Sequence, residues 1–329
     1  MAGGRVCGMM LPLFLAALGT AAQAAELRRP VTDVVRDYGF HSVTESPNGA
    51  RLQNSVLAID IECGSRRMLC NGVLIWLNGP CLRNGKSWTF SDCDVSGIVD
   101  PLIRPAVTAA ALPVRTVVLD PGHGGEDSGA VGAQRVCEKK VALDIAGRVA
   151  ARLQDSGVVV RMTRSGDRAL TLSERSRSAR RWGADLFVSV HLNSSRNGDA
   201  SGLETYIVPA AGYASTSSTR PEVRACDGNR FNAQNALLAY YLHRGLLSTA
   251  HVPDRGIKRA RFEVLTEAPC PAALVECGFV SNRGEASRLR NAEYRSTLAD
   301  GIARGILTYI SRSEVLPPPA NDATPVACK

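Results

Sequence analysis

The distribution of apolar residues predicts alternating strands and helices over residues 111–313. Short apolar runs predict strands at 116–119, 158–162, 186–190, 203–208, 262–265 and 272–275. Between these runs, apolar residues that recur every three or four positions predict helices at 141–157, 172–182, 234–249 and 292–310. The alternation is typical of an α/β domain with a mostly parallel central sheet flanked by helices.

Two of these helices carry polar residues that we expect in solvent. The helix at 172–182 is rich in arginine and serine, and its arginines from Arg175 to Arg181 are predicted to lie on the surface. His243 is likewise predicted to lie on the surface of the helix at 234–249.

A different pattern precedes this region. Residues 25–110 contain short β-prone runs with Asn-Gly pairs beside them, at positions 71–72, 78–79 and 84–85, which are typical hairpin turns. The segment around Pro105 and Pro113 has little periodicity and is predicted to be a linker. We therefore expect a small β-rich N-terminal domain and a linker before the α/β domain at 111–313.

The two ends of the chain are predicted to lie outside the folded domains. Residues 1–24 combine Arg5, a short apolar stretch and a small-x-small motif that ends at Ala24, which is typical of a cleaved signal peptide. The alternative is an uncleaved N-terminal anchor. Export to a periplasm or the extracellular space is the expected outcome, with no integral membrane span after signal removal. The Pro-rich tail at 314–329 is predicted to be disordered.

Composition narrows the choice of partner. Lys and Arg exceed Asp and Glu by 39 to 31, for a net charge of +8, which favours an anionic partner such as an acidic wall polymer or nucleic acid. Aromatic residues make up only 5% of the chain and are not interleaved with basic runs, so base-stacking platforms are not expected. Export also argues against nucleic acid. Disulfides among the cysteines are plausible in an exported chain, but their spacing leaves several pairings open.

Four polar residues occupy positions that indicate chemistry. His123 lies in a glycine-rich loop directly after a predicted buried strand, and His191 ends another strand. Glu138 immediately precedes an amphipathic helix, and Glu276 interrupts an apolar strand. Ligands of open α/β sheets gather at the carboxyl ends of strands, and the loop lacks the phosphate-binding motifs GxxxxGK[ST] and GxGxxG.

These residue types suit a metal. Two histidines and a carboxylate with an additional acid nearby fit a catalytic zinc site that has three protein ligands and an open fourth position. If Glu276 were a fourth ligand, the site would be closed and structural. A histidine at a strand end is also often only a hydrogen-bonded loop residue.

Six blocks in order make the chain recognisable: DPGHGGEDSGAVG, EKKVALDIA, TRSGDRALTLSERSRSA, DLFVSVHLNSS, GLETYIV and VLTEAPCPAALVECGFVSN. Over residues 115–310 the sequence resembles the zinc-dependent N-acetylmuramoyl-L-alanine amidases of the amidase_3 type. The resemblance implies Zn²⁺ as cofactor, His123, Glu138 and His191 as its ligands, and Glu276 as the catalytic acid. It implies hydrolysis of the amide between N-acetylmuramic acid and L-alanine of peptidoglycan, in wall remodelling or daughter-cell separation, with a protein activator as a possible partner.

Four further residues are candidates for contacts with substrate. Asn193 follows His191 and can orient a neighbour, and Glu204 lies in the strand of GLETYIV. Arg255 and Arg259 are candidates to meet carboxylates of the stem peptide, with a solvated basic loop as the alternative. The competing function is a non-catalytic peptidoglycan-binding protein on the same fold.

Overall fold

The computed structural model describes residues 27–85, 87–110 and 112–314. The predicted signal peptide and all but the first residue of the predicted tail lie outside these residues. Among the helices of the described part, none has the length and apolar character needed to cross a membrane.

The strands of the described residues are β1 Arg28–Pro30, β2 Ser42–Ser46, β3 Gly49–Gln53, β4 Ala58–Glu62, β5 Arg67–Cys70, β6 Val73–Trp76, β7 Leu82–Asn84, β8 Ser87–Ser91, β9 Thr116–Pro121, β10 Val159–Met162, β11 Leu186–Asn193, β12 Leu203–Ile207, β13 Asp254–Arg259 and β14 Ala272–Phe279.

The α-helices are α1 Val31–Tyr38, α2 Asp92–Asp94, α3 Asp100–Ile103, α4 Pro105–Ala110, α5 Glu138–Asp155, α6 Leu172–Arg181, α7 Asn232–Ala250, α8 Glu263–Thr266, α9 Arg283–Arg290 and α10 Ala292–Ser313. A π-helical turn at Val95–Val99 joins α2 to α3, and 3₁₀ turns lie at Ala133–Arg135 and Asp227–Phe231.

The predicted α/β fold is confirmed. Its strands lie in the order β10-β9-β11-β14-β12-β13. All neighbours in this group are parallel except β14 and β12, which are antiparallel. Strands β9, β11 and β14 are apolar on both faces because helices cover both faces of the sheet. Helices α5, α7 and α10 pack on one face, and α6 and α8 cover the other.

Several short elements differ from the prediction. The predicted strand at 262–265 is wrong, because Phe262 is the N-cap of helix α8 and residues 263–265 lie within it; a short apolar run has no period that separates strand from helix. Strand β13 was not predicted, because Ile257 is its only large apolar residue. The predicted linker contains helix α4, whose Ala109 is fully buried.

The N-terminal segment is rich in strands, and β6-β5-β4-β3-β2 extend the sheet beyond β13 as an antiparallel meander. Asn71 and Gly72, both with positive φ, form the predicted hairpin turn between β5 and β6. Strand β6 meets β13 in parallel through the pair Ile75 and Ile257. Because the two segments share one sheet, their division into separate domains stays a prediction.

Glycines allow α7 and α10 to pack at close range. A Cβ atom at residue 305 would lie 2.6 Å from Leu242 Cα and 2.7 Å from the carbonyl oxygen of Tyr241. Gly301 of α10 faces the same helix, where a Cβ would lie 2.8 Å from Leu246 Cα. The opposing atoms belong to helix backbone, which cannot move aside cheaply.

We expect Gly305→Ala to lower the free energy of unfolding by about 1–3 kcal/mol, because the added methyl overpacks the crossing of α7 and α10. The control is Gly147→Ala in α5, where a Cβ meets nothing within 4 Å. That change should stabilise the protein by about 0.5–1 kcal/mol by raising helix propensity. Denaturant unfolding of both variants measures the difference, and equal effects would show that the close crossing is not a constraint.

Candidate metal centre

The loop after β9 carries the first histidine, and two buried arginines hold its backbone. The guanidinium of Arg164 donates to the carbonyls of Pro121 and Gly122 at 3.0 and 2.6 Å. That of Arg175 donates to the carbonyls of Pro121 and His123 at 2.7 and 2.8 Å. Three consecutive carbonyl groups are thereby fixed, and His123 takes a left-handed conformation with φ +60°.

Arg175 was expected in solvent, but the structure places it under the loop, where it is 3% exposed. Its Nη1 forms an ion pair of 2.8 Å with Asp120, which is fully buried at the end of β9. Thr163 and Ser189 donate hydroxyl hydrogen bonds to the same carboxylate at 2.6 and 2.8 Å. A buried position of α6 thus carries an arginine because a buried acid lies opposite.

His123, Glu138 and His191 meet at the carboxyl ends of β9 and β11. One potential ligand atom from each lies within 4.8 Å of the other two. Glu138 Oε1 is 3.1 Å from His123 Nε2 and 2.9 Å from His191 Nδ1. The two imidazole rings approach edge to face, with centroids 4.9 Å apart. Asp127 Oδ2 lies 2.7 Å from the other nitrogen of His123 and orients its ring.

Glu138 is the first residue of α5 and is 4% exposed. Its Oε2 accepts from the amide of Ala130 at 2.8 Å, and its Oε1 accepts from the amide of Leu192 at 3.1 Å. Burial acts to raise the pKa of Glu138, but the hydrogen bonds of His123 and His191 outweigh burial and hold it well below its usual range. The carboxylate is therefore an anion under neutral conditions.

Glycine is required where the backbone approaches the two histidines. A Cβ atom at Gly122 would overlap the imidazole ring of His191. At Gly129, which has φ +61°, a Cβ would lie 2.6 Å from both Glu138 Oε2 and His123 Cδ2. The glycine-rich sequence after β9 therefore serves the packing of the three side chains.

Strand register places Glu276 beside His123, Glu138 and His191. It is paired with His191 across the parallel strands β14 and β11, and with Glu204 across the antiparallel strands β14 and β12. Directly paired residues face the same side of a sheet. Glu276 Oε2 is buried and has no hydrogen-bond partner among the described residues. Burial raises the pKa of Glu276 well above its usual range, and the carboxylates of Glu138 and Glu204 add to this.

Glu204 is the centre of a polar group next to Glu276, and it is 2% exposed. Asn193 Nδ2 and the hydroxyl of Tyr206 donate to its Oε2 at 2.9 and 2.6 Å. Arg255 Nε and Lys258 Nζ donate to its Oε1 at 2.7 and 2.5 Å. Three of the four candidate substrate residues thus converge here, and sequence reasoning missed Tyr206 and Lys258. Tyr206 follows Glu204 by two residues, as strand alternation requires, whereas Lys258 lies beyond a register shift from Arg255 and carries no such signal.

Arg259 lies apart from this group, because it directly follows Lys258 and successive side chains of a strand point to opposite faces. Arg255 and Arg259 do not share a face, since the register of β13 against β12 shifts between Asp254 and Ile257. The Nε of Arg259 donates to the carbonyl of Trp76 at 3.1 Å.

His243 was expected on a helix surface, but it is fully buried and is held by Thr205 at 2.9 Å and Asp254 at 2.8 Å. Asp254 also accepts from the amide of Leu74 at 2.9 Å, which ties β6 to β13.

Comparison with known proteins shows which family the chain is similar to. The family model Amidase_3, described as N-acetylmuramoyl-L-alanine amidase, matches residues 117–308. The uncharacterized protein YqiI of Bacillus subtilis is 37% identical over 213 residues, which cover 65% of this chain and 93% of YqiI. The amidase LytC of the same organism is 34% identical over 243 residues, which cover 72% of this chain but 45% of LytC.

Solved structures share the fold of the second part of the chain. The amidase AmiC2 of Nostoc punctiforme is 37% identical and superposes with a TM-score of 0.52, over 60% of this chain and 97% of AmiC2. The CwlD amidase of Clostridioides difficile, solved in complex with the GerS lipoprotein, is 25% identical with a TM-score of 0.51, over 60% of this chain and 98% of CwlD. The chain therefore belongs to the Amidase_3 family of N-acetylmuramoyl-L-alanine amidases.

Proposed function

We propose that this protein hydrolyses the amide bond between N-acetylmuramic acid and L-alanine in peptidoglycan, with zinc as its cofactor. One observation carries the proposal: His123, Glu138 and His191 converge with Glu276 beside them, in a chain that belongs to a family of such amidases. A bond between a sugar lactyl group and a peptide is the substrate that the family membership suggests.

The residues of the centre fit a zinc ion. Neutral imidazole and carboxylate are zinc ligands, and three of them leave a fourth position for water or substrate. The Glu138 carboxylate, held as an anion, supplies the negative charge that favours a dication. Asp127 and the amides of Ala130 and Leu192 orient these ligands from behind, as outer groups do in metal sites. A bound zinc ion supplies Lewis acidity, which brings the pKa of water to about 7 and polarises the amide carbonyl.

Glu276 is assigned the proton transfer. Its carboxylate accepts a proton from the attacking water and delivers it to the nitrogen of L-alanine as the amide bond breaks. A raised pKa suits a group that must take up and release a proton near neutral pH. Its Oε2 has no hydrogen-bond partner among the described residues, so that oxygen is free to do so.

Arg255 is assigned to bind the stem peptide. Its Nε is used by Glu204, and its guanidinium stacks on Phe279 with its central carbon 4.9 Å from the ring centroid. The side chain is 37% exposed, and its Nη groups are free of hydrogen bonds to the described residues. The two Nη groups of the Arg255 guanidinium can therefore donate to a peptide carboxylate, while Glu204 and Phe279 fix the orientation of the guanidinium.

The protein would hydrolyse peptidoglycan of the cell wall after export, in wall remodelling or in the separation of daughter cells. A protein activator is a further part of this proposal, and the complex of CwlD with a lipoprotein supports it by example. A non-catalytic wall-binding protein on the same fold is the alternative. The complete set of four polar residues supports the enzyme, because binding alone does not require a proton-transfer group beside a metal centre.

Purified sacculi provide the test of function. We expect the protein to release stem peptides and to expose lactyl groups, with the activity abolished by a chelator and restored by added zinc. Binding to sacculi without release would favour the alternative instead.

Glu276→Gln should retain zinc and lower turnover by about 10²–10⁴-fold, because the amide cannot transfer the proton. His123→Ala should lose the metal. Metal analysis and sacculus digestion are measured on the same preparations. The matched control is Glu263→Gln on the exposed surface, which should leave the zinc content and the turnover unchanged. Loss of zinc from Glu276→Gln would identify that residue as a ligand and contradict its assigned role.

Gly122→Ala should weaken zinc binding by at least tenfold, because its methyl group displaces the ring of His191. The control is Gly166→Ala, where a Cβ meets nothing within 4 Å. Competition with a fluorescent chelator measures the affinity. Equal affinities in the two variants would mean that the ring can move without leaving the metal.

Arg255→Gln should raise KM for muropeptides about tenfold and change kcat much less, since it removes binding shared by the ground state and the transition state. The effect should disappear when the stem-peptide carboxylates are amidated. Arg224→Gln, which removes the same charge from an exposed site, serves as control. A fall in kcat at constant KM would disprove a role in substrate binding.

A further inference from the structure

A cavity of about 250 Å³ lies where the N-terminal segment meets the start of α7. It is on the other face of β13 from Lys258 and the group around Glu204, so it is separate from the metal centre. Asn78 and Ser96 line it from the N-terminal segment, and Asn232 and Gln234 line it from the first turn of α7.

Arg259 is the buried charged group of this cavity, and the burial of its charge is not fully compensated. The side chain lines the cavity and the residue is 4% exposed. Its Nη2 is buried and has no hydrogen-bond acceptor among the described residues. Burial lowers the pKa of Arg259, and the attraction of the nearby Asp94 does not offset this. A buried guanidinium without an acceptor is costly, so a missing acceptor is expected.

The nearest acid does not supply that acceptor. The carboxylate of Asp94 is occupied by the backbone and side-chain amides of Asn78, at 2.8 and 2.9 Å, and by the amide of Gly79 at 3.0 Å. Arg66, a half-buried arginine nearby, adds positive charge. Its own donors are used by the carbonyls of Leu77, Ala214 and Ser215. The net charge of the groups around the cavity is therefore positive.

The remaining lining also favours an anion. None of the described lining residues is acidic, and Arg230 contributes a second guanidinium at the edge. Helix α7, of 19 residues, begins there directly after the 3₁₀ turn Asp227–Phe231 and without a side-chain cap, and the positive end of its dipole attracts negative charge. Asn232 Oδ1 accepts from Asn229 Nδ2 at 3.2 Å, which leaves Asn232 Nδ2 as the donor of that side chain.

We propose that this cavity binds a small oxyanion, a carboxylate or a phosphate group, between Arg259 and the first turn of α7. The oxygen atoms would meet the guanidinium of Arg259 and the side-chain amides of Asn232 and Gln234. Because residues from the N-terminal segment form the opposite wall, the anion would link that segment to α7. The inference requires neither zinc nor amidase activity.

The test is thermal unfolding of the full chain in sodium phosphate and in sodium acetate, each titrated at constant ionic strength against sodium chloride. We expect a saturable rise of the melting temperature by about 2–4 °C with at least one of the two anions. A response to phosphate alone assigns the site to phosphate groups, and a response to acetate alone assigns it to carboxylates. No saturable rise with either anion, as for a cavity filled by water, would overturn the proposal.

Gln234→Glu supplies the specific variant. It keeps the size of the side chain and places a negative charge in the cavity, so the anion-dependent rise should be lost. Gln154→Glu, the same change at an exposed position of α5, should keep the rise. A rise that persists in Gln234→Glu would locate the anion elsewhere, including at the metal centre. If both variants lost the rise of the melting temperature equally, the rise would depend only on the net charge of the protein. Either of these two results would refute the proposed site.

Discussion

The register of three neighbouring strands is the constraint on which the centre depends. Strands β11, β14 and β12 place His191, Glu276 and Glu204 in one row, on one face of the sheet. A slip of one residue would turn every side chain of a strand to the other face. The apolar residues between the polar ones therefore have a second role, because their burial on both faces fixes the register that brings the polar groups together.

The sequence allowed the prediction of the α/β fold and of the residues at the centre because both depend on local patterns. Apolar periodicity identified the long strands and helices, and His123 and His191 follow predicted strands directly. Helix α8 and strand β13 could not be identified, because neither has a periodic apolar pattern. The position of Arg259 also could not be predicted, since the strand that sets its direction was not recognised.

Buried charge is the other feature that pattern reasoning failed to locate. Arg164 and Arg175 lie beneath the loop of His123, and the helix that carries Arg175 has the composition of a solvated surface. Asp120 was the available signal, because an acid at the end of an otherwise apolar strand needs a partner when it is buried. Such a partner comes from a distant part of the chain, and a single sequence does not show which distant residues are in contact.

The bond from Leu74 to Asp254 has a consequence for how the chain can be divided. Asp254 also holds His243 and thus the strand of Thr205, so the meander and the interior of the α/β part share one chain of hydrogen bonds. Excision of the matched family segment would leave β13 as an open edge with unpaired backbone groups. Open edges recruit other strands, so the isolated fragment would tend to self-associate, and the meander acts as its cover.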